Sequence, residues 1–198
     1  MKRVLFAAAV VVAMVAAAPA GAHQTAKAPG PWCGGTLWKL MTFSDTGRAG
    51  VNLTPTPTSI TALGAEAAPA KIGTARSAFE KQSWQITAVI ERYRVASNGE
   101  LVFEMTDPQS STYMNAYMPN PKCLSSTTRD RAQIVAARTA FTSVCPAPTP
   151  AWQMLGATVQ LAGVGFFNPV KSTIGALANG AELRPVTSFT LMQGCGKD

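Results

Sequence analysis

Residues 84–118 contain three short runs in which apolar and polar side chains alternate, and this pattern constrains the fold more than any other feature of the chain. A period of two is typical of strands that bury one face. Short polar turns separate the runs, so we expect three antiparallel strands in meander order. The positions expected to face a core are Trp84, Ile86, Ala88 and Ile90, then Leu101, Phe103 and Met105, then Met114, Ala116 and Met118.

Turn residues set the limits of these strands. The dipeptide Asn98-Gly99 predicts a two-residue hairpin of type I′, because both residues tolerate positive φ at low cost. Pro108 ends the second strand, since proline cannot donate a hydrogen bond to a central ladder. The first two strands are therefore predicted to form a tight hairpin.

The period changes to that of a helix after the third strand. Asp130 follows two threonines, as at a helix N-terminus, and Ile134, Ala137 and Phe141 recur at helical spacing. These residues predict one helix of about four turns. The proline-rich residues 145–150 end it.

Two more strands are predicted after the helix, at residues 158–168 and 186–191, with a bulge at Gly163 where the alternation changes phase. The sequence thus predicts a mainly β fold. Its predicted form is a five-stranded OB-like (oligonucleotide/oligosaccharide-binding) Greek-key barrel, with one helix between strands 3 and 4, preceded by a disulfide-stapled N-terminal extension. A small β-sandwich with one helix gives a similar pattern and stays open as an alternative.

Residues 1–22 have the order of a secretory signal peptide: a charged start, an apolar run over residues 4–18, and small residues at the end. The apolar run is shorter than the span of about 20 residues that crosses a membrane. We therefore expect a secreted or periplasmic protein with no stable membrane span after processing. A retained anchor is the alternative.

Two segments follow the predicted signal peptide. Residues 23–80 are predicted to be an N-terminal extension, and residues 81–198 the OB-like barrel domain. The start of the extension carries two tryptophans and a cysteine, so we expect it to pack on the barrel. Residues 54–70 are rich in proline, threonine and alanine, and this composition predicts an extended arm or loop.

Four cysteines remain in a chain that we expect to be exported, and an even number fits two structural disulfides. Their spacing lacks the close pairs of a zinc site. His23 is the single histidine of the chain, so a copper site built on an N-terminal histidine lacks its second imidazole. We expect no metal and no cofactor. The residues alone leave the pairing open among Cys33, Cys123, Cys145 and Cys195.

Several short motifs are spread along the chain. They are Cys33-Gly34 followed by Trp38, Lys39 and Asp45; Pro121-Lys122-Cys123; Ala137-Arg138; Gly163-Val164-Gly165-Phe166-Phe167; and residues 179–186 ending in Glu182, Leu183, Arg184, Pro185 and Val186. With these motifs the chain resembles a family of uncharacterised exported bacterial proteins with an OB-like fold. The family brings no established activity. The resemblance implies a disulfide between Cys33 and Cys123, and hence Cys145 with Cys195; the competing arrangement is Cys123 with Cys145 and Cys33 with Cys195.

Two motifs differ from the family that the chain resembles. The family has His-Gly where Lys171-Ser172 stands, and a histidine where Arg184 stands. Any metal binding or proton chemistry of those histidines is therefore lost here.

The charge distribution and the absence of known motifs disfavour several classes of function. The formal net charge is +7, but no run of lysine or arginine occurs, so nucleic acid is a disfavoured partner. No nucleophile, phosphate-loop or metallohydrolase motif is present. We expect an exported non-enzymatic binding or interaction module whose ligand is an oligosaccharide or another extracellular polymer. The alternatives are a hydrolase acting on such a polymer and a structural envelope protein.

On an OB-like barrel the ligand lies across strands 2 and 3. Two tyrosines that flank an asparagine could stack on a sugar or a base, and two arginines near the end of strand 1 could add anion contacts. Glu182 and Arg184 flank Leu183 and are predicted to form an exposed ion pair. The ligand-binding residues are predicted to be Tyr113, Asn115, Tyr117, Glu104, Arg92 and Arg94.

Overall fold

The chain is mainly β in the computed structural model, which describes residues 33–169 and 172–195. The α-helices of this part are α1 (Trp38–Met41), α2 (Ile60–Gly64) and α3 (Arg131–Val144). The strands are β1 (Asn52–Pro57), β2 (Gln82–Val95), β3 (Leu101–Thr106), β4 (Tyr113–Met118), β5 (Gln153–Phe167) and β6 (Ala181–Gln193). Short 3-10 helices cover Thr46–Gly50, Phe79–Lys81 and Pro121–Cys123. The predicted signal peptide, His23 and Lys171 lie outside the described residues.

One six-stranded sheet with the order β1-β2-β3-β4-β6-β5 contains all of these strands, and β2 also pairs with β5. The sheet therefore closes on itself. The predicted antiparallel meander is confirmed in β2, β3 and β4. β4 and β6 pair in parallel at Ala116 and Leu183, and β5 and β6 pair antiparallel. The prediction of five strands is wrong by one strand, β1, which pairs in parallel with β2. No helix of the described part is long and apolar enough to cross a membrane.

The extra strand lies in the segment predicted to be an extended arm or loop. Thr58 N donates to Gln85 O (2.8 Å), so the N atom of Pro57, one residue earlier, points away from β2. It lies at the open edge, where a missing N–H costs no ladder bond. After the strand, Ser59 caps α2 by accepting a hydrogen bond from Ala62 N. The arm prediction is therefore wrong for β1 and α2.

The predicted inward positions of β2, β3 and β4 are confirmed, except that Trp84 is only partly buried and packs on Phe79. Helix α3 lies where the sequence predicts it and buries Ile134, Ala137 and Phe141. The Phe141 ring packs edge-on against three other rings, with centroids 4.9–5.6 Å apart. Such edge-to-face contacts are favourable beyond the area they bury. Helix α3 thus joins the core of the closed sheet.

The hairpin between β2 and β3 forms at the predicted place, but its predicted turn type is wrong. Gly99 has a φ of 78°, whereas Asn98 is not among the described residues with positive φ. The side chain of Asn98 is used instead: its Oδ1 accepts from Glu100 N (3.1 Å) and its Nδ2 donates to the Glu100 carboxylate (2.6 Å). An asparagine that bonds to its own turn does not need the left-handed conformation.

The strands β5 and β6 are longer than predicted, since they begin at Gln153 and Ala181. The pairing of β5 with β6 shifts register on both sides of Gly163, which confirms the predicted bulge. A Cβ atom at this position would lie 2.9 Å from Pro185 O. Glycine is therefore required because the backbone of β6 passes too close for a side chain.

The described part of the chain contains two disulfides. Cys33 pairs with Cys123, and this bridge staples the N-terminal extension to the segment after β4. Cys145 pairs with Cys195 and joins the end of α3 to the end of β6. This is the arrangement implied by the resemblance, and the competing arrangement is wrong.

Candidate functional site

The structure separates the residues that were predicted to form one exposed ligand face. Tyr113 is 43% exposed. Glu104, Asn115 and Tyr117 are only 6%, 2% and 7% exposed, so the prediction that strand alternation exposes them is wrong. The loop before β6 covers part of this face, because Asn115 Nδ2 donates a hydrogen bond to Ile174 O (3.1 Å). Both faces of β3 and β4 are therefore buried, apart from the strand ends at Thr106 and Tyr113.

The two arginines of the predicted face, Arg92 and Arg94, lie under Trp152. Their guanidinium carbons are 4.8 Å and 5.0 Å from the centre of its ring. Arg92 also donates to the Glu104 carboxylate (2.8 Å from Nη2). Such stacked and paired arginines stabilise the outer side of the sheet. Trp152 lies far from both arginines in the sequence, and no local pattern signals the contact.

A buried ion-pair network extends this polar layer towards β6. Arg184 donates to the carboxylates of Glu100 and of Glu182, the latter at 3.4 Å. Asn168 Nδ2 donates to Glu182 (3.2 Å). The guanidinium of Arg184 also lies 4.2 Å from the centre of the Tyr117 ring. The predicted ion pair of Glu182 and Arg184 is therefore confirmed, but it is buried and shared with Glu100, a residue that the sequence did not single out.

Burial shifts the acid–base properties of this network. It raises the pKa of Glu182 to about 7, although Arg184 and Asn168 act in the opposite direction. Burial, reinforced by the nearby Glu182, also raises the pKa of Tyr117. Burial alone would lower the pKa of Arg184, but Glu100 and Glu182 hold it above its usual value. Tyr117 thus supports a structural network and offers no free ring to a ligand.

The shift at Glu182 predicts how stability depends on pH. The unfolded chain releases this proton near pH 4.5, whereas the folded protein keeps it until about pH 7. Between these values unfolding releases a proton, so the free energy of unfolding falls as the pH rises, in total by about 3 kcal/mol. Glu182→Gln keeps the shape and removes the titration. We expect urea unfolding to show this fall in the wild type and a correspondingly flatter curve in the variant.

A control isolates the contribution of the buried carboxyl. Glu66 is an exposed acid, and Glu66→Gln is the control that removes one carboxylate from the surface, against which the curve of Glu182→Gln is compared. Parallel curves for the wild type and Glu182→Gln would contradict the prediction.

The exposed ring of Tyr113 borders three clefts. The first has a volume of about 450 Å³ and is also lined by Val89, Glu91, Thr106, Asp107, Pro108, Gln109, Ser110 and Ser111. The second, about 570 Å³, is also lined by Thr61, Gly64, Ala65, Thr112, Ala176, Leu177 and Ala178. The third, about 300 Å³, is also lined by Glu104, Ile174, Gly175 and Ala176. We call the ring of Tyr113 with these three clefts the Tyr113 surface.

Hydroxyl and carboxylate groups dominate the polar lining of the Tyr113 surface. Asp107 links α2 to the turn before β4. Its Oδ2 accepts hydrogen bonds from Thr61 N and Thr61 Oγ1 (3.3 and 3.2 Å), and its Oδ1 accepts one from Gln109 N (3.0 Å). Glu91 accepts from Thr106 Oγ1 (2.5 Å). No lysine or arginine of the described residues lines the three clefts. The polar lining thus consists mainly of hydroxyl groups, which donate and accept hydrogen bonds, and of carboxylates, which accept them.

The sequence singled out Tyr113 and Glu104 but missed the rest of this surface. Thr61 comes from the segment predicted to be an extended arm or loop, and Ile174 comes from the loop before β6. Comparison with protein-family models, curated proteins and solved structures finds no match to this chain. What the protein does is therefore inferred from its surface chemistry.

Proposed function

We propose that the protein is an exported, non-enzymatic binding module that holds an oligosaccharide, or a segment of a longer extracellular polysaccharide, at the Tyr113 surface. The observation that carries this proposal is one exposed aromatic ring shared by three clefts, of which the cleft beside Asp107 is mainly polar and the other two are mainly apolar. A sugar ring packs its C–H face on an aromatic ring, while its hydroxyls bond to nearby polar groups. Three clefts around one ring accommodate a sugar unit together with its neighbours in the polymer.

The lining of the clefts favours saccharide over nucleic acid. Binding of nucleic acid depends on lysine and arginine near the phosphates, and the described residues of the three clefts include neither. A hydrolytic role is disfavoured because both Asp107 oxygens are occupied by hydrogen bonds from Thr61 and Gln109. Asp107 thus acts as a structural acceptor for the loops around Tyr113.

We infer in addition that the fold is an OB-like barrel. With β1 set aside, the remaining strands follow the order β2-β3-β4-β6-β5, and the pairing of β2 with β5 closes the ring. Along the chain, helix α3 lies between β4 and β5, which are the third and fourth of these five strands in sequence. Two disulfides support export, because such bonds persist in oxidising compartments.

The Tyr113→Ala variant tests the proposed function. Loss of a stacking ring typically costs about 1–3 kcal/mol of binding, so the Kd should rise by about tenfold or more. Because the ring is exposed, the thermal midpoint should stay nearly unchanged. Soluble oligosaccharides of different backbones are first screened on an array with the wild type, and calorimetry with the best binder then compares wild type and variant.

Tyr117→Ala is the matched control for this experiment. It removes the same side chain from the same strand, but from beneath Arg184. We expect a lowered thermal midpoint and no specific loss of affinity in the protein that remains folded. Absence of any oligosaccharide binder, or unchanged affinity in Tyr113→Ala, would contradict the proposal.

A further inference from the structure

We propose that Arg94 and Trp152 form a second binding site, which takes the carboxylate of a uronic acid unit in an extracellular polysaccharide. Neither residue lines the three clefts of the Tyr113 surface. The carboxylate follows from the contacts and the accessibility of the Arg94 guanidinium. Its assignment to a saccharide rests on the proposed function.

Arg94 carries a positive charge that the described part of the chain leaves uncompensated. Its neighbour Arg92 donates to the Glu104 carboxylate through Nε and Nη2 (3.1 and 2.8 Å). Arg184 pairs with two buried glutamates. Arg94, in contrast, forms no hydrogen bond and no ion pair with any described residue. Because polar groups in such partly buried positions normally have partners, an anion from outside the chain would satisfy a group that is otherwise left without one.

The guanidinium of Arg94 is open to a ligand at one end. Its Nε atom is buried and has no partner, so a ligand does not reach this nitrogen. Nη1 and Nη2 also lack a partner among the described residues, but they are not buried, and both therefore keep access to solvent. The charge of a guanidinium is delocalised over its three nitrogens. An anion bound to Nη1 and Nη2 consequently compensates the charge at Nε as well.

Trp152 fixes the orientation of this guanidinium. Gln153 pairs with Tyr93 across β5 and β2, which places the preceding residue, Trp152, opposite Arg94. The guanidinium carbon of Arg94 lies 5.0 Å from the centre of the Trp152 ring. Stacking on an aromatic ring stabilises the cation and limits the freedom of its long side chain. A ligand therefore meets a preorganised pair of donors, and less conformational entropy is lost on binding.

The geometry and the charge of Arg94 favour a carboxylate. Nη1 and Nη2 direct two N–H donors in one plane, which matches the two oxygens of a single carboxylate. One uncompensated positive charge also matches a carboxylate better than a phosphate group, whose charge is close to −2 at neutral pH. The sequence predicted anion contacts at both Arg92 and Arg94, but Glu104 already occupies Arg92.

An exposed apolar side chain near Arg94 suits a sugar that carries such a carboxylate. Met154 pairs with Arg92 in the register of β2 and β5, and it is 77% exposed. A uronic acid unit combines one carboxylate with the apolar C–H groups of its ring. The accessible guanidinium and the exposed thioether provide a counterpart for each of these features.

An oligogalacturonate and its methyl ester of equal length test this inference by calorimetry at neutral pH. The ester keeps the sugar backbone but has no negative charge. We expect the acidic oligomer to bind about tenfold more tightly than the ester, because charge-assisted hydrogen bonds to Arg94 are lost in the ester. The affinity of the acidic oligomer should fall as salt is added.

Two substitutions of Arg94 show whether its paired donors recognise the carboxylate. Arg94→Gln removes the charge, and we expect about tenfold weaker binding of the acidic oligomer, with little change for the ester. Arg94→Lys keeps the charge but not the planar pair of donors, so binding should still weaken by about threefold. Arg131→Gln is the matched control, since it removes the same charge from an exposed position on α3. It should leave both affinities unchanged, and the thermal midpoint of each variant checks that it is folded.

The outcomes distinguish this site from the Tyr113 surface. Equal affinity for the acid and the ester, or unaltered affinity for the acid in Arg94→Gln, would overturn the inference while binding of neutral oligosaccharides at Tyr113 stands. A glutamate-rich peptide that binds at Arg94 more tightly than the oligogalacturonate would overturn the assignment to a saccharide. Loss of oligogalacturonate binding in Arg94→Gln, with no neutral oligosaccharide bound on the array, would support this site and overturn the proposed role of Tyr113.

Discussion

Replacing Arg184 with methionine is expected to lower the free energy of unfolding by about 3–5 kcal/mol, because it leaves two buried carboxyl groups without their cation. Glu100 is 1% exposed and Glu182 is 3% exposed, so water cannot replace the lost partner. The substitution also removes the guanidinium from the ring of Tyr117. Urea unfolding near neutral pH measures the effect.

Two comparisons show whether the loss comes from unpaired charge. Arg131 is exposed on α3, so Arg131→Met removes one positive charge from the surface and should change stability by less than about 0.5 kcal/mol. Adding Glu100→Gln and Glu182→Gln to Arg184→Met should recover much of the lost stability, because the buried charges then disappear together. A loss below about 1 kcal/mol for Arg184→Met, or no recovery in the triple variant, would contradict this account.

Removing the bridge between Cys145 and Cys195 by replacing both with alanine is expected to lower the free energy of unfolding by about 4 kcal/mol. The two residues are separated by 50 positions, and the bridge restricts the unfolded chain over that loop. Both cysteines also belong to the main hydrophobic core, so some packing is lost as well. Urea unfolding of the double variant gives the value.

The other bridge provides the comparison. Cys33 and Cys123 are 90 positions apart, and chain entropy alone makes this bridge more stabilising by only about 0.5 kcal/mol. Cys33 is exposed, however, so its removal costs little packing. The two double variants should therefore differ by less than about 1 kcal/mol. A change below about 1 kcal/mol after removal of the Cys145–Cys195 bridge would refute the predicted contribution.

The parts of the fold that sequence reasoning predicted well are those whose signal is local. Strand alternation predicted the inward positions of β2, β3 and β4, and helical spacing predicted α3 with Phe141 on its buried face. Gly163 was predicted as a bulge because the alternation changes phase there. In each case neighbouring residues report the environment directly.

The outer face of the sheet could not be predicted in the same way. Polar residues that alternate with apolar ones usually face solvent, yet Glu104 and Tyr117 are buried. Tyr117 is covered by a partner far away in the sequence, Arg184. Glu104 pairs with Arg92 on the neighbouring strand of the hairpin, but the loop before β6 also packs against it, since a Cβ atom on Gly175 would lie 2.7 Å from Glu104 Cγ. A single sequence shows the polar residue but not the distant group that satisfies it.

The Tyr113 surface combines four segments of the chain, and this explains why only two of its residues, Tyr113 and Glu104, were predicted. Glu91 comes from β2, Thr61 from α2, and Ile174 from the loop before β6, while Tyr113 begins β4. Helix α2 has five residues, too few for helical periodicity to appear. The composition of its segment suggested an arm, although Ile60 is fully buried.

Proline in β1 affects how readily the open edge of the sheet pairs with a strand of another molecule. β1 is the end strand of the sheet order and has β2 as its one strand partner among the described residues. Its outward edge would ordinarily recruit a strand from another molecule, the first step of edge-to-edge aggregation. Pro57 removes a donor from that edge, so an incoming strand finds an interrupted ladder. Pro57, which makes β1 harder to recognise as a strand in the sequence, therefore also disfavours pairing of this edge with a strand of another molecule.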